Sequence, residues 1–132
     1  MQEQHLYEYA VVRVVPKVER EEFVNVGILV FCKKEKFLKA ICKLDESRLI
    51  AFAPELDMAQ VRQNLSALEK ISNGDNDGGP IAMLETAERF RWLTAVRSSV
   101  IQTSRPHPGL SKDLNQTINR LFDEMVANGV VA

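Results

Sequence analysis

The stretch VVRVVPKVEREEFVNVGILVF, residues 11–31, decides the fold of this chain. It contains two apolar, β-branched runs on either side of a short charged stretch, residues 17–22, which we call the polar segment. Runs of this kind predict two buried strands of a sheet. The polar segment then connects two rigid strands, so its side chains would be held in place. We therefore expect functional residues here, with Asn25 and Gly27 interrupting the second apolar run.

Outward from this stretch, strands are predicted at residues 6–15, 24–32 and 37–44. The first two are apolar on both faces, which is typical of central strands. The third alternates apolar residues with Lys39 and Lys43, which indicates an edge or a solvated face. Residues 33–36 form the polar turn between the second and third strands.

Helices are predicted after three aspartates that can act as N-caps: Asp45, Asp57 and Asp113. The first should end before Pro54, the second at Asn73–Gly74 and the third at Asn128–Gly129. A further helix is expected over residues 84–95 and a short fourth strand over residues 100–103. Residues 105–109 contain two prolines and a glycine and are expected to be irregular.

This order of elements predicts an α+β fold, with an antiparallel sheet of about four strands and three to four helices packed on it. We expect the helices to lie on one face of the sheet. The 132 residues are expected to form a single domain, residues 1–132. The second and third strands should form a hairpin in which Cys42 lies opposite Gly27, too far from Cys32 for a disulfide.

Composition narrows the functional classes. The net charge of −1 gives no overall field that would attract nucleic acid or an anionic membrane. No apolar stretch is long enough for a membrane span, and the first ten residues do not resemble a signal peptide. Two unpaired cysteines fit a reduced compartment, so we expect a cytoplasmic protein without cofactors.

The polar segment supplies the first candidate site residues, Glu19, Arg20 and Glu22. Carboxylates beside an arginine could serve acid–base chemistry or hold a divalent cation. Charge runs more often form a solvated surface with weak ion pairs, and we favour that interpretation.

Arg13 and Asn25 are candidates because each is a polar residue within an apolar strand. A buried arginine needs an anionic partner, since an unpaired desolvated charge is costly. We expect a structural ion pair with Glu8 or Glu22, with an anionic ligand or a partner protein as the alternatives. Asn25 could form one wall of a pocket or mark a bulge.

His107 is a candidate general base, and Ser104 precedes it by three residues. Neither completes a catalytic triad, and the sequence carries no complete catalytic or metal-binding signature. The sequence therefore leaves open whether the chain is an enzyme and favours a role without catalysis.

Two weaker patterns complete the set. Residues 73–78 match the first half of a calcium-binding loop, but the second half fails because its bidentate glutamate position is Leu84. Five lysines around the predicted hairpin could contact phosphates, but we favour protection of the sheet edge as their role: Lys33, Lys34, Lys36, Lys39 and Lys43.

Residues 18–27, VEREEFVNVG, together with residues 89–93, RFRWL, and 107–110, HPGL, carry a resemblance to a known family. The chain resembles the bacterial family of domain of unknown function 3037, from Tyr7 to Val126. That family has no assigned activity. The resemblance implies a gene often found beside one for a HipA-like kinase-fold protein, as in a toxin–antitoxin or defence pair.

The leading hypothesis is a protein-interaction module that docks such a partner through Arg13, Arg20, Glu22 and Asn25, with His107 nearby. The first alternative is a metal-dependent hydrolase or nuclease that uses Glu19, Glu22 and His107. The second alternative is a nucleic-acid binder through the lysine hairpin, residues 33–43. Assembly with further copies of the chain is also left open.

Overall fold

The computed structural model describes residues 3–95 and 99–127. The strands are β1 (His5–Val14), β2 (Val24–Cys32), β3 (Phe37–Cys42), β4 (Ile101–Thr103) and β5 (His107–Ser111). The helices are α1 (Glu46–Phe52), α2 (Met58–Asn73), α3 (Thr86–Leu93) and α4 (Leu114–Phe122). Short 3-10 turns occur at Val18–Arg20, Asn76–Gly78 and Pro80–Met83, and a wider helical turn, Asp123–Ala127, continues α4.

All strand pairs are antiparallel, and β1 and β2 are the central strands in the order β3-β2-β1-β4. β5 pairs with the same edge of β1 as β4 does, further along the strand. This arrangement confirms the predicted α+β fold, and the polar segment does connect two central strands. None of the helices in the described ranges has the length and apolar character needed to cross a bilayer.

β4 and β5 are two halves of one edge strand, joined through a bulge. The register against β1 shifts by one residue between Thr103, opposite Val12, and His107, opposite Tyr9. At the shift, the Ser104 backbone N–H donates to the Val11 carbonyl (2.8 Å). The Ser104 hydroxyl in turn accepts the Val11 N–H at 2.8 Å. A side-chain oxygen therefore replaces the missing carbonyl of the ladder.

The expectation that residues 105–109 are irregular is wrong for residues 107–109, which lie in β5. Pro108 is tolerated because β5 is an edge strand. Such a strand pairs on one side only, so the missing N–H of proline need not remove a hydrogen bond of the sheet. Gly109 lies under the Tyr7 ring, and a Cβ at Gly109 would approach that ring to 2.5 Å. The glycine thus allows the aromatic ring to cover the edge strand.

The helices cover both faces of the sheet, so the expectation of a single covered face is wrong. Helices α1, α2 and α3 pack on one face over an apolar cluster that includes Val12, Val14 and Leu29. Helix α4 packs on the other face over a cluster that includes Val11, Ile28 and Cys32. The physical reason is that β1 and β2 are apolar on both faces, and each face needs its own cover.

Most of the local predictions agree with the structure. Asp45, Asp57 and Asp113 are N-caps whose carboxylates accept backbone N–H groups in the first turns of α1, α2 and α4. Gly74 ends α2 in the left-handed conformation. The predicted stop of the last helix at Asn128–Gly129 lies outside the described residues. Cys42 pairs with Gly27 across the hairpin, and both cysteines are free, as expected.

Candidate functional site

Arg13 lies near the end of β1, where it faces Asn25 of β2 on one side and Gln102 of β4 on the other. Cross-strand partners share a face of the sheet, and this is the face that α4 covers. The Cζ atom of Arg13 lies 4.0 Å from the centroid of the Phe23 ring. Phe23 itself is 43% exposed. Arg13, Phe23 and Asn25 therefore form one group, which we call the Arg13 cluster.

The polar atoms of the Arg13 cluster are incompletely satisfied. Asn25 donates from its amide Nδ2 to the Met125 carbonyl at 3.1 Å. Its Oδ1 and the Nε of Arg13 are buried, and neither finds a hydrogen-bond partner within residues 3–95 and 99–127. Burial lowers the pKa of the Arg13 guanidinium because desolvation disfavours the charged form. The Arg13 guanidinium thus has a buried donor, Nε, without an acceptor in the part of the chain that the structure describes.

The expected ion pair between Arg13 and Glu8 or Glu22 is not found among the described residues. Glu8 differs from Arg13 by an odd number of positions in β1, so its side chain lies on the opposite face. Glu22 instead accepts from Nε of Arg20 at 3.0 Å. Stacking on Phe23 takes the place of the expected carboxylate.

The polar segment is exposed and turns sharply. Its 3-10 turn, Val18–Arg20, is followed by Glu21 with φ of 55°, an unusual left-handed conformation for a residue with a side chain. The side chains of Arg20 and Glu22 are 61% and 50% exposed, so their ion pair contributes little to stability. Both side chains line a small cleft that also includes the exposed Phe52 of α1. The cleft places charged and aromatic groups side by side near the Arg13 cluster.

The structure does not bring His107 to this region. His107 pairs with Tyr9 across the sheet, and their ring centroids lie 5.3 Å apart. Tyr9 precedes Arg13 by four residues in β1, a distance of roughly 13 Å along the strand. Glu19 and Glu22 lie beyond the Arg13 end. The geometry required for a hydrolase site formed by Glu19, Glu22 and His107 is therefore not assembled.

Ser104 is occupied by its structural role. Its hydroxyl accepts the Val11 N–H and lies 3.1 Å from the Arg105 carbonyl, to which it can donate. The side chain is buried in the bulge between β4 and β5. A hydroxyl held in this way is not positioned by a neighbouring base for nucleophilic attack.

The half-matching calcium loop has an ordinary structural role. Asp77 forms an ion pair with Lys70 of α2 at 3.1 Å, and this cation lowers the pKa of the Asp77 carboxyl. In the ranges that the structure describes, no three His, Cys, Asp or Glu side chains are grouped as a metal site requires. The segment therefore packs as two 3-10 turns, Asn76–Gly78 and Pro80–Met83.

The five hairpin lysines do not form one surface. Lys34 pairs with Glu3, which lowers the pKa of the Glu3 carboxyl and raises that of Lys34. Lys39 donates to Asn115 of α4 at 3.1 Å. Lys33 and Lys36 belong to the exposed turn, while Lys43 follows the far end of β3. These positions suit protection of a sheet edge.

The two cysteines are not suited to redox chemistry in the folded protein. Cys32 is fully buried under α4. Burial, reinforced by the Glu69 carboxylate, raises the pKa of the Cys42 thiol to about 12. At neutral pH Cys42 is therefore protonated and a poor nucleophile.

Sequence reasoning missed Phe23 and Arg89. Phe23 lies in the stretch that decides the fold, residues 11–31. Its exposure and its contact with Arg13 follow only from the turn at Glu21. Arg89 is buried and donates to three carbonyl groups around the end of α2. A charged residue at a position of α3 that faces the core was the available signal.

The model of one protein family, described as "Protein of unknown function (DUF3037)", matches residues 9–126. The match covers the Arg13 cluster, the polar segment and all four helices up to Val126. No curated protein and no solved structure matches the chain.

Proposed function

The chain belongs to the DUF3037 family of proteins of unknown function, and because membership brings no activity with it, we propose on physical grounds that it is a protein-interaction module. Its docking surface comprises the Arg13 cluster and the neighbouring ion pair of Arg20 with Glu22. The partner supplies a carboxylate to Arg13 and an apolar group to Phe23.

One observation carries this proposal. Arg13 is a partly desolvated cation that stacks on an exposed phenylalanine and finds no ion pair among the described residues. Arginine and aromatic residues are the side chains most enriched at the energetic centres of protein interfaces. Stacking fixes the guanidinium in one orientation, which reduces the entropy lost on binding.

The resemblance to the family suggests which partner to test first. A HipA-like kinase-fold protein encoded beside this chain, in a toxin–antitoxin or defence pair, is the partner that we propose. The free cysteines are consistent with a cytoplasmic location for such a pair.

The experiment compares binding of that purified partner by wild type and variants, using titration calorimetry. We expect Arg13→Ala and Phe23→Ala each to weaken binding at least about 30-fold, the equivalent of 2 kcal/mol at an interface centre. Arg120→Ala is the control, because Arg120 is an exposed arginine of α4 that does not belong to the proposed docking surface. Its affinity should stay within about threefold of wild type.

The same variants also define the result that would contradict this docking surface. If the kinase-fold partner does not bind, the same variants are applied to partners recovered from the native host and purified. Equal affinity of wild type, Arg13→Ala and Phe23→Ala for every purified partner would rule out this docking surface. Circular dichroism of both variants establishes that any loss of affinity is not a loss of folding.

A further inference from the structure

A second surface lies at the start of β1, on the face that α1, α2 and α3 cover. The helices do not extend over this corner. Leu6 and Leu110 pair across β1 and β5, and their side chains are 66% and 61% exposed. Glu8 and Pro108 form the next cross-strand pair on the same face. Two adjacent exposed leucines on a sheet face are unusual, since isolated ones are the norm.

These residues border a groove between the sheet and α3. Its volume is about 440 Å³, within the range of sites that bind other molecules. Leu6, Glu8 and Pro108 form the sheet side, and Ala87 and Arg91 form the helix side, with Lys33 at the end of β2. The floor is Phe31, which stacks on Phe90 of α3 with the ring centroids 4.8 Å apart. The groove is therefore apolar inside and charged at its rim.

The rim carries both signs of charge. Glu8, Lys33 and Arg91 form no ion pair with any residue in the described part of the chain. An acidic peptide in the groove would meet Glu8 as well as the two cations, and like charges placed together oppose binding. A second copy of the same surface, turned by a twofold axis, would instead place each Glu8 near a cation of the other copy.

We propose that this face is a self-association surface, on which two copies of the chain pack about a twofold axis. Leu6 and Leu110 of each copy enter the groove of the other, and Glu8 of each copy pairs with Arg91 of the other. The copies meet face to face rather than edge to edge, because β5 is short and Pro108 lacks the N–H that edge pairing needs.

This surface is independent of the proposed docking surface. Leu6 and Arg13 are seven residues apart in β1, roughly 23 Å, and their side chains lie on opposite faces of the sheet. A dimer formed through Leu6 and Leu110 leaves Arg13 and Phe23 uncovered. Failure of either proposal therefore leaves the other intact.

The experiment is sedimentation velocity of the full chain over a concentration series, with charge-reversal variants. Wild type should show a concentration-dependent dimer. Glu8→Arg and Arg91→Glu should each raise the dimer dissociation constant at least tenfold. Each variant puts two like charges opposite one another at positions 8 and 91, and the twofold axis makes this contact occur twice in the dimer. Arg48→Glu, an exposed charge reversal on α1, is the control and should dimerise as wild type does.

The decisive step mixes the two single variants in equal amounts. In a heterodimer of Glu8→Arg with Arg91→Glu both pairs are complementary again, so the mixture should dimerise about as well as wild type. Leu110→Gln, at an exposed position, should prevent association in every combination. A monomeric wild type at all concentrations, singles that dimerise normally, or a mixture that fails to restore the dimer would each overturn the proposal.

Discussion

The hydroxyl of Ser104 takes the place of a backbone carbonyl where β1 meets the strand formed by β4 and β5. It accepts the N–H of Val11, a buried residue of the central strand β1. A polar backbone group in such a place must be paired, because leaving it unsatisfied costs its full desolvation penalty.

We expect Ser104→Ala to lower the free energy of unfolding by about 1–3 kcal/mol, because the Val11 N–H loses its acceptor. The measurement is urea denaturation, in which the midpoint should fall while the slope stays unchanged. Ser66→Ala, at an exposed position of α2, should change stability by less than about 0.5 kcal/mol. Equal midpoints for the two variants would contradict the role assigned to Ser104.

The contacts of Arg13 could be predicted from the sequence only in part. The sequence identified Arg13 correctly as a polar residue in an apolar strand. It did not identify its contact, because strand parity places Glu8 on the other face and the turn at Glu21 directs Glu22 toward Arg20. Side-chain partners across a turn depend on backbone angles that composition does not specify.

Among the elements, α2 depends on α3 for its C-terminal end. The Arg89 side chain donates from Nη1 to the carbonyls of Ile71 (2.8 Å) and Ser72 (2.9 Å). Its Nε donates to the carbonyl of Leu84 at 3.0 Å. The last carbonyls of a helix lack partners within the helix, and a cation there is also favoured by the helix dipole.

Arg89→Lys keeps the charge but cannot reproduce this fork of donors, so we expect a loss of about 2 kcal/mol in the free energy of unfolding. Arg48→Lys is the control, because Arg48 is exposed on α1, and it should leave stability unchanged. Thermal denaturation followed by circular dichroism measures both. If the two variants melt together, charge alone holds the end of α2.

Local sequence signals predicted the helix N-caps but not the strand β5. Caps at Asp45, Asp57 and Asp113 were predicted because an N-cap involves only the next three residues. β5 was missed because prolines and glycine are local signals against a strand. Its pairing with β1 depends on the Tyr7 ring over Gly109 and on the bulge at Ser104, which are contacts distant in sequence.

For the whole molecule, the fold class could be predicted because three consecutive strands with short links leave few topologies. The two-sided cover was implied by apolar residues on both faces of β1 and β2, although the helices were expected on one face. The groove between α3 and the sheet at Leu6 could not be predicted, because its lining residues come from α3 and from strands that meet only in the folded chain. Which apolar residues remain uncovered is a property of the assembled layers.

The two faces of the sheet are covered by unequal numbers of helices. Three helices protect one face, whereas α4 and the turn that follows it protect the other within the described residues. Regions with fewer buried contacts open at a lower free energy than the global unfolding transition. We therefore expect α4 to detach as a unit while the rest of the sheet stays folded.

Cys32 provides a probe of this opening, since it is fully buried in the cluster under α4. Ile118→Ala on α4 and Leu65→Ala on α2 should each destabilise the protein by about 2–5 kcal/mol. Only Ile118→Ala should selectively accelerate modification of Cys32 by a thiol reagent in native buffer, with mass spectrometry locating the label. Parallel acceleration of Cys32 and Cys42 in both variants would instead mean that the molecule opens all at once.

The sheet separates two apolar clusters, one on each face, and this arrangement has a kinetic consequence. A chain whose two cores open separately can expose one apolar face of its central strands for a short time without unfolding. In the cell, such partly opened molecules are the ones that chaperones and proteases meet first, so the lifetime of the protein depends on how firmly α4 stays closed.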